Sequence, residues 1–228
     1  MLTAIAIVPS PPVIVPELAG AAAFEVADLR TAAVTAAGRL PSRWVAVGVA
    51  DTDAVIGPDA VGTFAGYGVD VPVRLSDTAD GPPDALPLCA LMAGWLRGLV
   101  ATAAAVEVRT YAEHTPQAAA LAAGRALRSE LDAAQEAVGV LVVADGANTL
   151  TAAAPGGHDP DSVPVQAALD DALAGGDSAA LAGLPDGIVG RVAYQVLAGL
   201  TESGTQTAEQ LYRGAPYGVG YFVGVWAP

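Results

Sequence analysis

The stretch Val138–Ala144, VGVLVVA, constrains the fold more than any other part of the chain. Seven apolar residues run without a polar break, and four of them are β-branched. A strand with one wet face alternates apolar and polar side chains, whereas a strand covered on both faces reads as a continuous apolar run. A second run of the same kind is Trp44–Val49, WVAVGV, and a third is Thr3–Val8. Helical segments separate them. The spacing predicts helices over Ala19–Ala37, Leu88–Val100, Pro116–Gln135, Val165–Ala174, Ser178–Leu184 and Ile188–Leu200. The first is expected to bury Phe24, Val26, Leu29 and Val34 and to stop at Gly38. For Pro116–Gln135, Thr115 is the expected N-cap. Short strands are expected at Val69–Val73 and Ala104–Arg109, a further element at Thr207–Tyr212, and a closing strand at Tyr217–Trp226. Asp51–Gly68, Ser76–Pro87 and Asp145–Pro164 read as loops.

Strands alternating with helices define an α/β protein: a single-domain, three-layer α/β/α sandwich over residues 1–228 around a mostly parallel or mixed central sheet. With 3 Phe, 3 Trp and 6 Tyr among 228 residues, the core has to be built from small side chains and close backbone approach. The net charge of −14 opposes binding to nucleic acid or to an anionic membrane surface, both of which need clustered cations. The longest apolar stretch, Ala85–Val106, contains Pro87 and a central Arg97, so it reads as a buried helix and a strand, not a membrane span. The first arginine is Arg30, so the N-terminus lacks the basic region of a signal peptide, and a cytoplasmic location is expected. The lone Cys89, in an apolar setting, reads as a structural thiol.

Chemistry is sparse. The two histidines, His114 and His158, have no ligand spacing relative to each other. His114 reads as an exposed residue preceding a helix, and His158 lies on the long loop after the strongest strand. There is no G-x-S-x-G elbow and no Walker A pattern. The run GVGYFVG near the C-terminus has no helix after it, so it is no dinucleotide fingerprint. Ser10, in VPSPPVIVPELAG, sits on a loop stiffened by Pro9, Pro11 and Pro12 directly after the first strand.

Three segments, taken in order, resemble the class III extradiol ring-cleavage dioxygenase superfamily (the protocatechuate dioxygenase β-subunit and Memo-like group). AIVPSPPVIVPELAG is similar to that group's opening PHPP…(I/L/V)PE. LVVADGANTLTAAAPGGHDPDS is similar to a strand followed by GD-x-SH-x-L…AP-x-GYDP, and APYGVGYFVGVW to the terminal GVGY strand. The resemblance implies a cleft at strand ends. In catalytic members Fe(II) is held there by two histidines and a glutamate, with another histidine as acid/base. Residue by residue, this chain departs from that pattern. The first ligand histidine falls on Ser10, the second near Ala50-Asp51, and the SH histidine on Asn148. The ligand glutamate has no counterpart beyond Asp186 in the expected region.

The expected function is therefore a non-catalytic relative that keeps the fold and cleft without Fe(II), with no cofactor and with an unidentified small molecule or protein as partner. Two alternatives stand beside it. One is an active dioxygenase on a catecholic or related aromatic substrate, using Fe(II) in an altered or partner-completed site. The other is hydrolase or lyase chemistry in the same cleft. The cleft candidates are Ser10, Asp51, Asp145, Asn148 and His158. Assembly into a homo-oligomer fits the apolar composition and the habit of the superfamily, and the sequence locates no interface.

Overall fold

A computed structural model describes residues 1–228. Nine strands form: β1 (Leu2–Val8), β2 (Arg43–Ala50), β3 (Ala54–Ile56), β4 (Val61–Thr63), β5 (Pro72–Arg74), β6 (Ala105–Ala112), β7 (Val138–Val143), β8 (Thr207–Gly214) and β9 (Tyr221–Ala227). The helices are α1 (Pro16–Ala19), α2 (Ala27–Ala37), α3 (Leu88–Val100), α4 (Gln117–Ala133), α5 (Ser162–Gly175), α6 (Ser178–Ala182) and α7 (Arg191–Leu200). Seven strands make one mixed sheet in the order β3-β6-β2-β7-β1-β9-β8, and β4 pairs with β5 alone. β7 lies at the centre, parallel to both β1 and β2, and β2 runs parallel to β6. β3, β9 and β8 add antiparallel edges.

The central position of β7 explains its sequence. Leu141 and Val143, with Ala6 and Val8 of β1, pack under α2 and α3 on one face. Val140 and Val142, with Ile5 and Ile7, pack under α4, α5 and α7 on the other. Both faces are dry, so neither admits a polar residue. This is the expected three-layer sandwich. No helix is long and apolar enough to cross a membrane.

Small side chains let helices come close. Where α4 crosses α7, a Cβ on Gly124 would lie 2.1 Å from the Val196 carbonyl oxygen, and one on Gly199 would lie 2.2 Å from that of Leu121. On α3, the Arg97 side chain is only 4% exposed. Its guanidinium donates to the carbonyls of Ala104 and Thr102 and, at 3.4 Å, to that of Arg74. Cys89 is buried against Gly48, and burial pushes its thiol up to about 11, as befits a structural residue.

Several sequence expectations need correction. The single helix over Ala19–Ala37 is divided: α1 ends at Ala19, Gly20 takes a positive φ of 52°, and Gly20–Phe24 is a 3₁₀ turn. Phe24 consequently leaves the buried stripe and is 91% exposed. Thr115 does not cap α4; extended Pro116 occupies that position, and the Thr115 N–H instead donates to the Ala112 carbonyl. The expected loop Asp51–Gly68 contains β3, β4 and a 3₁₀ turn at Phe64–Tyr67, because β3 finds its partner in distant β6. The strand expected at Val69–Val73 is Pro72–Arg74, and α7 begins at Arg191 instead of Ile188. Thr207–Tyr212 belongs to edge strand β8, and β9 starts only at Tyr221, after a turn in which Gly218 takes a φ of 72°.

Candidate functional site

The carboxyl ends of β1, β2, β6 and β7 share one edge of the sheet, as their parallel pairing requires. After β1 the chain passes to α2 in one helical layer, and after β7 it passes to α5 in the other. Two adjacent strands whose connections diverge to opposite faces open a crevice at their carboxyl ends, the usual ligand position in such sheets. Ser10 and Asp145 meet at this point. The Ser10 N–H donates to Asp145 Oδ1 at 2.7 Å, and the Ser10 hydroxyl donates to Oδ2 at 2.6 Å. Burial raises the Asp145 carboxyl above the usual range, and the two Ser10 hydrogen bonds oppose that rise.

The loop bearing Asp145 is held on three sides. The Asp145 carbonyl accepts from the Gly190 N–H at 2.8 Å. Gly146 N–H donates to the Gly220 carbonyl and Gly220 N–H to the Ala147 carbonyl, each at 2.8 Å. Buried Gln166 of α5 accepts from the Ala147 N–H at 2.8 Å and donates to Asp170. A Cβ at either Gly146 or Gly220 would lie 2.1 Å from Gln166 Oε1, so a side chain at either position would displace the Gln166 amide from the Ala147 N–H. Beneath the loop, the fully buried Tyr194 hydroxyl donates to the Ala144 carbonyl at 2.9 Å. Burial, reinforced by Asp145 and Asp170, holds that phenol well above its ordinary range.

Next to this point an open cleft of about 870 Å³ is lined by residues following β6 and β7 and by the ends of α5 and α7. Asn148 and Thr149 form one wall, Asp159 and Asp161 a second, and Glu113, His114, Asp186 and Arg191 a third. Arg191 ties the last wall together. Its Nε lies 3.2 Å from Asp186 Oδ1, and its other nitrogens donate to Gln195 Oε1 at 3.1 Å and to the Glu113 carbonyl at 3.3 Å. Exposed His114 lies 3.0 Å from Glu113.

The five sequence candidates thus fall into separate places. Ser10 and Asp145 form one pair, and Asn148 lines the cleft. Asp51 is exposed at the end of β2, and His158 is exposed on its loop outside the cleft lining. Sequence reasoning set His114 aside, yet it lies on the cleft wall. It also missed Arg191 and Gln166. Gln166 left a trace, as a polar residue interrupting the apolar stripe of α5; Arg191 left none.

Fe(II) does not fit these residues. The Ser10 hydroxyl is committed to Asp145, Asp51 is exposed and without partners, and Asp186 is engaged by Arg191. No group of three or more His, Cys, Asp or Glu side chains is arranged to hold a metal ion.

No family model matches the chain, and no curated protein matches it. Among solved structures, the crystal structure of the uncharacterized protein JW3007 from Escherichia coli K12 is similar, with a TM-score of 0.60 at 10% identity. The match covers 99% of this chain and 100% of that one, and at this identity it speaks for the fold alone.

Two consequences can be measured at the site. Replacing Gln166 by leucine leaves the Ala147 N–H buried without a partner, which costs about 1–3 kcal/mol. Hydrogen exchange then speeds up at Gly146, Ala147 and Gly220 before the rest of the sheet; unchanged exchange there would mean that Gln166 does not hold the loop. The second concerns Asp145. A carboxyl whose pKa is raised on folding binds its proton more tightly in the native state, so its contribution to stability is present at low pH and lost as pH rises through the folded value. Asp145→Asn keeps an acceptor for Ser10 and cannot ionise. Its stability relative to the parent, read by urea denaturation, rises with pH across that window; a constant difference would contradict the raised pKa.

Proposed function

We propose that this chain is a non-iron relative of the class III extradiol dioxygenase superfamily, using the cleft at its strand ends to bind a polar small molecule. One observation carries the reading: at the position where the resembling family places its first metal ligand, Ser10 spends both its hydroxyl and its N–H on Asp145. The pair joins the ends of β1 and β7, so the proline-stiffened loop is retained as a structural clamp after its ligand role has gone. Asn148, at the place of the family's SH histidine, supplies an amide that hydrogen-bonds without exchanging protons near neutral pH. The adjoining cleft has room for a small ligand and is lined mainly by polar groups that would fix its orientation. Asp51 and His158 are exposed and hydrogen-bond to neither Ser10 nor Asp145, which supports binding over chemistry.

Oxygen uptake in the presence of Fe(II) and a panel of catechols tests this reading. The expected rate equals that of the same mixture without protein. Uptake proportional to protein concentration, with formation of a ring-opened product, would overturn it.

A further inference from the structure

The layer made by α1, α2 and α3 carries two features that complement each other. The first is a knob. Of the three phenylalanines, Phe64 and Phe222 are fully buried, whereas Phe24 is 91% exposed. It is presented on an anchored turn: the Glu25 N–H donates to the Ala22 carbonyl at 3.0 Å, and Glu25 Oε2 accepts from the Tyr217 hydroxyl at 3.0 Å. The second is a hole. A groove of about 360 Å³ opens between α1, α2 and α3, with Pro16, Val34, Trp95 and Leu99 among its lining residues. Leu99 is 54% exposed and is the one leucine among the exposed large apolar residues.

Charge follows the same pattern. Arg30 lines the groove and has no carboxylate partner, although most arginines of this acidic chain are paired. Glu25, an anion, directly follows the knob. Knob with anion, and hole with free cation, belong to consecutive segments of one layer. A second copy turned about a twofold axis would satisfy both sets at once and close the assembly, because an isologous contact uses the same patch twice. Glu17 also lines the groove, so a ring enters it more readily than a second carboxylate would.

We propose that the α1–α2–α3 face is a self-association surface, on which Phe24 of one protomer seats in the groove of a second copy while Glu25 meets Arg30. The occupant is this chain itself, since it carries the matching ring and charge. Buried aromatic anchors dominate such contacts, with arginine next.

Sedimentation velocity on the full chain across the micromolar range tests the assignment. The expected result is a concentration-dependent dimer. Phe24→Glu weakens it by about 100-fold or more, and Arg30→Glu by about 10-fold, with association restored when Arg30→Glu is combined with Glu25→Arg. Phe24 and Arg30 lie outside the buried core, so each variant keeps the parent melting temperature at concentrations low enough for the parent to be monomeric. A chain that sediments as a monomer throughout, or a dimer that Phe24→Glu leaves intact, would overturn the proposal.

Discussion

Replacing Gly124 by alanine lowers the melting temperature by about 6–12 °C, because a single methyl group meets the backbone of α7. The added Cβ would sit 2.1 Å from the Val196 carbonyl oxygen, 2.7 Å from the Leu200 nitrogen and 2.9 Å from the Gly199 carbonyl carbon. None of these is the end of a flexible side chain, so the helices must separate. Gly199 faces Leu121 in the reciprocal manner, leaving no slack on the opposite side. Overpacking of this kind costs about 3 kcal/mol, and in a domain of this size each kcal/mol lowers the melting temperature by about 2–4 °C. Gly98→Ala is the control. Gly98 is an exposed helical glycine with nothing within 4 Å of its would-be Cβ, so alanine there raises stability by about 0.5–1 kcal/mol through helix propensity. If both substitutions had the same sign, close approach would not be what holds α4 against α7.

Arg97→Leu has the second large effect. The guanidinium is nearly inaccessible and ties the end of α3 to the turn before β6 through the carbonyls of Ala104 and Thr102, and to the end of β5 through that of Arg74. Leucine fills part of the space and offers no donor, so the acceptors lose charged partners at once. The expected loss is about 3 kcal/mol, visible as a lower urea midpoint with an unchanged slope. Lysine does not rescue it, because a single ammonium on a linear stem cannot reproduce a planar fork aimed at separate carbonyls. A variant within about 0.5 kcal/mol of the parent would show that the turn satisfies its carbonyls by other means.

Much of the architecture was legible because burial leaves a direct imprint on sequence. VGVLVVA reads as a strand covered on both faces and forms β7 over Val138–Val143, and LCALMAGWLRGLV forms α3 over the expected residues. What escaped was structure set by distant partners. Ala54–Ile56 has no strong strand signal and becomes β3 through pairing with β6. Gly20, read as part of a helix, ends one through its positive φ, and Phe24 is turned outwards as a result.

The site was legible in part, for the same reason. Ser10 and Asp145 were both singled out by their places after strong strands, but their hydrogen bonds depend on β1 lying beside β7, across 135 residues of chain. His158 attracted attention as a loop histidine and is exposed outside the cleft, while His114 reaches the cleft wall because β6 delivers it to the same sheet edge. Arg191 acts through Asp186, Gln195 and the Glu113 carbonyl, contacts that local sequence does not encode.

Ser10, Asp51 and Asn148, which resemble a metal site, are proposed not to hold iron. Anaerobic loading with Fe(II), removal of unbound metal and elemental analysis of the full chain test it most directly. The expected result is iron well below one equivalent, with the same result for Ser10→Ala. One tightly held iron per chain, lost in Ser10→Ala or Asp51→Ala, would contradict it.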